Sequence, residues 1–122
     1  MTMAKEWKSL KQKSSKEYIP QKQDIIYIDF NPSSGIEIQK RRPAVVVSSY
    51  EYSLSTGYVA VCPITSSNRN LFIPVHDEVV SGYVNPFQLH TFDFRSRNAK
   101  YISFMETSIF QKVVQSYQFI FD

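Results

Sequence analysis

The chain breaks into short runs of β-branched and aromatic residues, each cut off by turn residues before it reaches helix length. This segmentation constrains the fold more than any other feature. Asp24-Ile25-Ile26-Tyr27-Ile28-Asp29-Phe30 is the first run, with Ile26, Ile28 and Phe30 on one face, and Asn31-Pro32-Ser33-Ser34-Gly35 after it is turn chemistry. Pro43–Ser48 is a second strand, apolar on both faces, with Pro43 expected at its first position, where a missing N–H is tolerated. Further strands are predicted over 58–64, 71–75, 82–85, 87–92 and 101–105, with Pro74 placing the fourth at a sheet edge. Only the end is helical: Thr107 or Ser108 is a plausible N-cap, and Phe110, Val113, Val114, Tyr117 and Phe121 recur at helical intervals. Many short strands and one closing helix predict a mainly β fold, a small, strongly bent sheet or barrel.

With 122 residues, 43% hydrophobic and 20% charged, the chain has the composition of one ordinary globular domain. No apolar run reaches the roughly 18 residues that cross a bilayer, and the lysines at the front are not followed by an apolar stretch. A soluble cytoplasmic protein is the expectation. Residues 1–23 read as a basic extension, with six Lys against two Glu, whereas the domain at 24–122 holds eight Lys and Arg against nine Asp and Glu. The basic balance therefore belongs to the front end and says little about the domain's partners. Trp7 and Leu10 sit at helical spacing, so 4–13 reads as either a solvated tail or a short amphipathic helix.

The sequence has one Cys and two His, which excludes a disulfide framework and a Cys-based zinc cage. It has no phosphate-binding glycine loop and no His-Glu-x-x-His, so neither a metal nor a nucleotide cofactor is expected. Three places can carry chemistry. Lys40-Arg41-Arg42 stands between a loop and a strand, with Arg42 held extended by Pro43; a rigid Arg there suits a phosphate, and a solvated charge run reads the same way. Thr65-Ser66-Ser67 follows the third strand, where hydroxyls bind a phosphate or cap a turn. Gln88 and His90 share a face if 87–92 is a strand, making His90 either an acid–base group or a surface histidine.

Taken in order, these segments resemble the MazF/PemK family of toxin–antitoxin endoribonucleases. The likeness rests on Asp24–Pro32, on Gly35-Ile36-Glu37 with Arg42–Ser48, on Val61–Ser66 and on Gln88–Asp93, and covers about 24–121. It implies an SH3-like β-barrel with a C-terminal α-helix, usually a homodimer blocked by a cognate antitoxin. It also implies metal-independent cleavage of single-stranded RNA by the ribose 2′-hydroxyl, leaving 2′,3′-cyclic phosphate and 5′-hydroxyl ends.

By resemblance, Arg42 and Thr65 are catalytic, Glu37 is the acidic loop position, and Ser48 and Gln88 are polar positions near the groove. Since Arg and Thr are poor proton carriers, Glu37 or His90 is the candidate for moving protons if either reaches the groove. Lys40, Arg41, Ser66 and Phe87 are read with Ser48 and Gln88 as substrate-binding, and Tyr83, Phe87 and Phe92 are candidate stacking surfaces. The chain departs from the family at Gln23, where Gly is frequent, and at Ile38 and Lys40, where Gln and Gly are usual. Ile36 replaces a loop His, Phe87 an Asp, and His90 a common Arg or Lys. A same-fold toxin that poisons DNA gyrase, and a degenerate module that only binds RNA or antitoxin, are the competing readings.

Overall fold

A computed structural model describes residues 17–30 and 41–122. The helix considered over 4–13 lies outside them. Among the described residues seven strands and two helices follow in order: β1 (Asp24–Asp29), β2 (Arg41–Val46), α1 (Tyr50–Thr56), β3 (Tyr58–Thr65), β4 (Ile73–His76), β5 (Ser81–Val84), β6 (His90–Asp93), β7 (Lys100–Phe104) and α2 (Thr107–Gln118), with a 3-10 turn at Phe119–Phe121. All pairings are antiparallel, in the order β4-β5-β3-β2-β1-β7. Strand β3 is the spine. One of its edges takes β2, through Ala44↔Pro63 to Val46↔Val61. The other is shared end to end by β6, at residues 58–61, and β5, at residues 64–65.

The sheet curls and is buried on both faces, which is why its central strands read as unbroken apolar runs. Ile25, Val45, Cys62, Ile64, Val75 and Val84 form one core, closed by Met105 and by Phe110 and Val113 of α2. Ile26, Ile28, Ala44, Val46, Val59, Val61, Phe92 and Phe94 form the other. Truncating any of these wholly buried aliphatics to Ala costs about 2–5 kcal/mol. Residues 18–23 are part of this packing: Ile19 joins the second core, and the Tyr18 hydroxyl donates to Oδ2 of the buried Asp24 at 2.6 Å. Burial and the adjoining carboxylate push the Tyr18 phenol well above its ordinary pKa.

Several boundaries differ from expectation for local reasons. β2 begins at Arg41, because Arg41 and Arg42 still pair with Asp29 and Ile28. Pro43 is then the third residue, tolerated because the ladder to β3 begins only at Ala44. β4 starts at Ile73, since Leu71 is left-handed at φ 73° and cannot extend a strand. Pro74 does lie on the edge strand. β6 is not 87–92 but His90–Asp93: the Asn85 side chain accepts the N–H of Phe87 at 3.1 Å and turns the chain through 85–88.

The N-cap of α2 is Glu106, without a side-chain cap bond, because the Thr107 hydroxyl instead accepts from Gln23 Nε2 at 3.1 Å. Phe121 leaves the apolar face of that helix and is 68% exposed. Helix α1 was not anticipated. Ser49 caps it by accepting the N–H of Tyr52 at 3.1 Å, and Gly57, at φ 82°, ends it by donating to Ser53 O at 2.9 Å.

Candidate active site

One end of the sheet face that carries the second core opens into a cleft of about 310 Å³ lined by Arg42, Pro63, Thr65, Ser67, Arg69, Phe72, Asn85 and Gln88. Strand period and register explain the meeting. Arg42, Ala44 and Val46 share a face, as do Val61, Pro63 and Thr65, and the β2–β3 ladder ending at Ala44↔Pro63 aims at Arg42 opposite Thr65. The core thus runs along this face until Arg42 and Thr65 replace its aliphatics. Gln88 and Asn85 come from the turn between β5 and β6, held by Asn85 N donating to Pro63 O at 2.9 Å.

The cleft presents donors. Thr65 Oγ1 accepts the N–H of Ser67 at 3.2 Å, which leaves its own O–H free to donate. Asn85 Oδ1 accepts from Phe87 N, which fixes that amide, and its Nδ2 donates to Gln88 Oε1 at 3.2 Å. Gln88 is thereby left to offer its NH₂. With the guanidinium groups of Arg42 and Arg69, these groups suit a phosphate. Among the described residues no carboxylate lines the cleft or pairs with Arg42, and no three His, Cys, Asp or Glu gather as a metal site.

Not every expected residue is brought here. Glu37 and Lys40 lie outside the described residues. Arg41, one position from Arg42, faces the other way: its guanidinium pairs with Asp29 at 3.7 Å and lies 5.6 Å from the Tyr27 ring centroid. Ser48 lies two residues past the end of β2 that is remote from Arg42. Its hydroxyl accepts the N–H of Ala60 at 2.9 Å and prolongs the ladder.

Ser66 alternates away from Thr65 and lines a separate cleft of about 470 Å³ with His76, Ser81 and Tyr83. Phe87 is partly exposed on its turn, while Phe92 is buried and unavailable for stacking.

His90 does not share a strand face with Gln88, because 88 is in the turn. Its ring packs edge-on to Phe30 at 5.0 Å and parallel to Phe92 at 5.2 Å, just behind Arg42, whose guanidinium carbon is 5.9 Å from the Phe30 centroid. Burial, helped by the Arg97 cation, pulls the imidazole below its usual pKa.

Arg69, Phe72 and Asn85 were missed as lining residues. The polar run Ser66–Asn70 and the Asn85-Pro86 turn mark them as loop residues, and only the fold shows that both loops border one cleft.

Residues 21–121 match the family described as PemK-like, MazF-like toxin of type II toxin–antitoxin system. The chain belongs to this family. The endoribonuclease toxin MazF of Escherichia coli (strain K12) is 38% identical over 52 residues, 43% of this chain and 47% of that one. The chain thus spans about half the length of the curated relatives it matches. Likeness in structure is wider. MazF from Deinococcus radiodurans superposes with a TM-score of 0.76 at 27% identity, over 86% of this chain and 98% of that one. A MazE–MazF complex from the same organism gives 0.78 at 27%, over 86% and 97%. The curled sheet with its C-terminal helix is the barrel of these MazF structures, as the sequence resemblance implied.

Proposed function

We propose that this PemK/MazF-family toxin is an endoribonuclease that cuts single-stranded RNA by attack of a ribose 2′-hydroxyl on the adjacent phosphate. The observation that carries the reading is the convergence of Arg42, Arg69, Thr65 and Gln88, all donors, on one cleft. In the reaction the 2′-oxygen bonds to phosphorus and the bond to the 5′-oxygen breaks, giving a cyclic phosphate and a 5′-hydroxyl. The proton leaves the 2′-hydroxyl, and one is delivered to the departing oxygen. Arg42 grips the phosphate oxygens, which gain charge in the transition state, and Thr65 holds the phosphate in line. Neither exchanges a proton at ordinary pH. His90 is stacked on Phe30 and Phe92 beside the cleft rather than lining it, and Glu37 and His90 are the two residues to test for proton transfer. None of these steps calls on a metal. Tyr83 and Phe87 offer rings to flanking bases.

The reading includes single-stranded RNA as substrate, a cognate antitoxin and a homodimer, in the cytoplasm where mRNA is made. The relative from Deinococcus radiodurans is solved with MazE, and this chain exposes Phe119, Ile120 and Phe121 together, the kind of apolar surface that interfaces cover.

The test is incubation of a long single-stranded RNA with wild type and Arg42→Ala in EDTA, with 5′ ends mapped. Specific cuts by wild type are expected, lost in the variant and lost when the attacking hydroxyl is replaced by hydrogen. A folded, antitoxin-free wild type that leaves RNA intact overturns the reading in favour of a gyrase-directed toxin or a binding module.

A further inference from the structure

Arg97 stands in the turn after β6 and reaches back to the end of β1. Its Nη1 donates to the carbonyl oxygens of Phe30 at 2.9 Å and Asp29 at 3.3 Å, and its own carbonyl accepts the N–H of Asp29 at 3.0 Å. Its guanidinium carbon lies 4.3 Å from the Phe92 ring centroid. Asn98, left-handed at φ 56°, adds a bond from Nδ2 to the Asp29 carboxylate at 2.8 Å. The turn is thus latched onto Asp29, the last residue of β1, and onto Phe30 just beyond it, by backbone and side chain together.

The latch holds the backbone from which the Phe30 ring projects. That ring meets Phe92 and His90 edge-on, at 5.1 and 5.0 Å, and on the cleft side it carries the Arg42 guanidinium at 5.9 Å. Arg42 is exposed and long, so its head group has many rotamers open to it. A cation over a ring face is weakly but directionally held. An arginine that must grip a phosphorane needs that direction, because a misplacement of about 1 Å costs about a hundredfold in rate.

We propose that Arg97 is a positioning residue for Arg42, acting through Phe30. Its catalytic consequence rests on the nuclease reading; its geometric content does not. Arg97→Lys loses the paired guanidinium bonds to the Asp29 and Phe30 carbonyls and the guanidinium's place over the Phe92 ring. Phe30→Leu keeps those bonds, which go to the backbone, but removes the ring. Arg95→Lys, whose guanidinium stacks on Phe94 at 4.9 Å, is the control.

The experiment joins RNA-cleavage kinetics to the side-chain Nε–H resonance of Arg42, assigned by its loss in Arg42→Ala. In Arg97→Lys this resonance moves toward that of a free arginine, and in Arg95→Lys it stays. Each of Arg97→Lys and Phe30→Leu lowers kcat by about tenfold to a hundredfold with KM within about twofold. Their combination is no slower than the slower single variant, because both act on one contact.

An Arg42 resonance unmoved by Arg97→Lys overturns the proposal, and so do losses that multiply. If Arg97→Lys does not fold, Phe30→Leu decides, and an unchanged kcat overturns it. A wild type that cuts no RNA while the Arg42 resonance shifts as expected overturns the nuclease reading alone and supports the positional one.

Discussion

A Cβ on Gly82 would stand 2.7 Å from the carbonyl oxygen of Thr65 and 3.1 Å from Cγ2 of Ile64. The obstacle is backbone, so no rotamer change relieves it, and β3 and β5 must move apart at the residue that lines the cleft. Gly82→Ala is therefore expected to cost about 1–3 kcal/mol and to slow RNA cleavage by tenfold or more, on the order of the penalty for a misplaced site group. Gly57→Ala is the contrast. Its left-handed φ of 82° makes it destabilising by about 1 kcal/mol, but its Cβ meets only Arg95 Nη1, at 3.8 Å, and cleavage is unaffected. Thermal melts and initial rates on both variants separate the two outcomes.

Stability should respond to pH through His90. Its folded pKa lies below the ordinary 6.5, from burial first and Arg97 second. Below that ordinary value the unfolded chain holds the extra proton more readily than the folded one. Stability from this group is therefore complete above about pH 6.5 and is lost as pH falls toward the folded pKa. The Tm of wild type is expected to fall more steeply between about pH 7 and 5 than that of His90→Gln. Since the ring does not line the cleft, the shape of the pH–rate profile should be the same in both. A missing limb in His90→Gln would place His90 in the chemistry.

Ser48→Ala removes the acceptor for the Ala60 N–H at the end of the β2–β3 ladder. The expected cost is about 1 kcal/mol of stability with no change in cleavage rate. Denaturant melts beside single-turnover rates test both halves. A fall in rate at full folding would put Ser48 back at the substrate.

Arg69 is the second guanidinium on the cleft. Arg69→Ala is expected to weaken binding of a non-cleavable 2′-deoxy-substituted RNA. It should also make the slope of log affinity against log salt shallower by about 0.7, one single-strand phosphate contact. An unchanged slope would remove Arg69 from the substrate path.

Much of this architecture was legible in the chain because strand periodicity and turn residues are local. The β1 and β3 runs, the Pro74 edge and the α2 face that carries Phe110 and Val113 could all be read from spacing. Arg42 beside Pro43 and Thr65 at a strand end were candidates that a solvated charge run and a turn cap explained equally well; the family resemblance singled them out, and the fold brings both to one cleft.

What could not be read depends on facing and on distance. Arg41 and Ser66 were taken with their neighbours, yet a strand turns alternate residues to opposite faces. Ser48 looked like a site hydroxyl and is a backbone acceptor. The Asn85 side chain, by bending 85–88, split Gln88 from His90. Arg69 reaches the cleft across a loop, and Arg97 reaches Phe30 across 67 residues of chain, separations that no local pattern encodes.

The first strand of the barrel takes its second neighbour from the last. β1 lies between β2 and β7, and the Gln23 side chain closes on the Met105 carbonyl 82 residues away. Contacts so distant in sequence form late. During synthesis, the strands that bear Arg42 and Thr65 emerge long before β7, the strand that locks β1, so the sheet behind the cleft is not complete until β7 has emerged. On the nuclease reading, a growing polypeptide of this kind is harmless to the message that encodes it until β7 has been made.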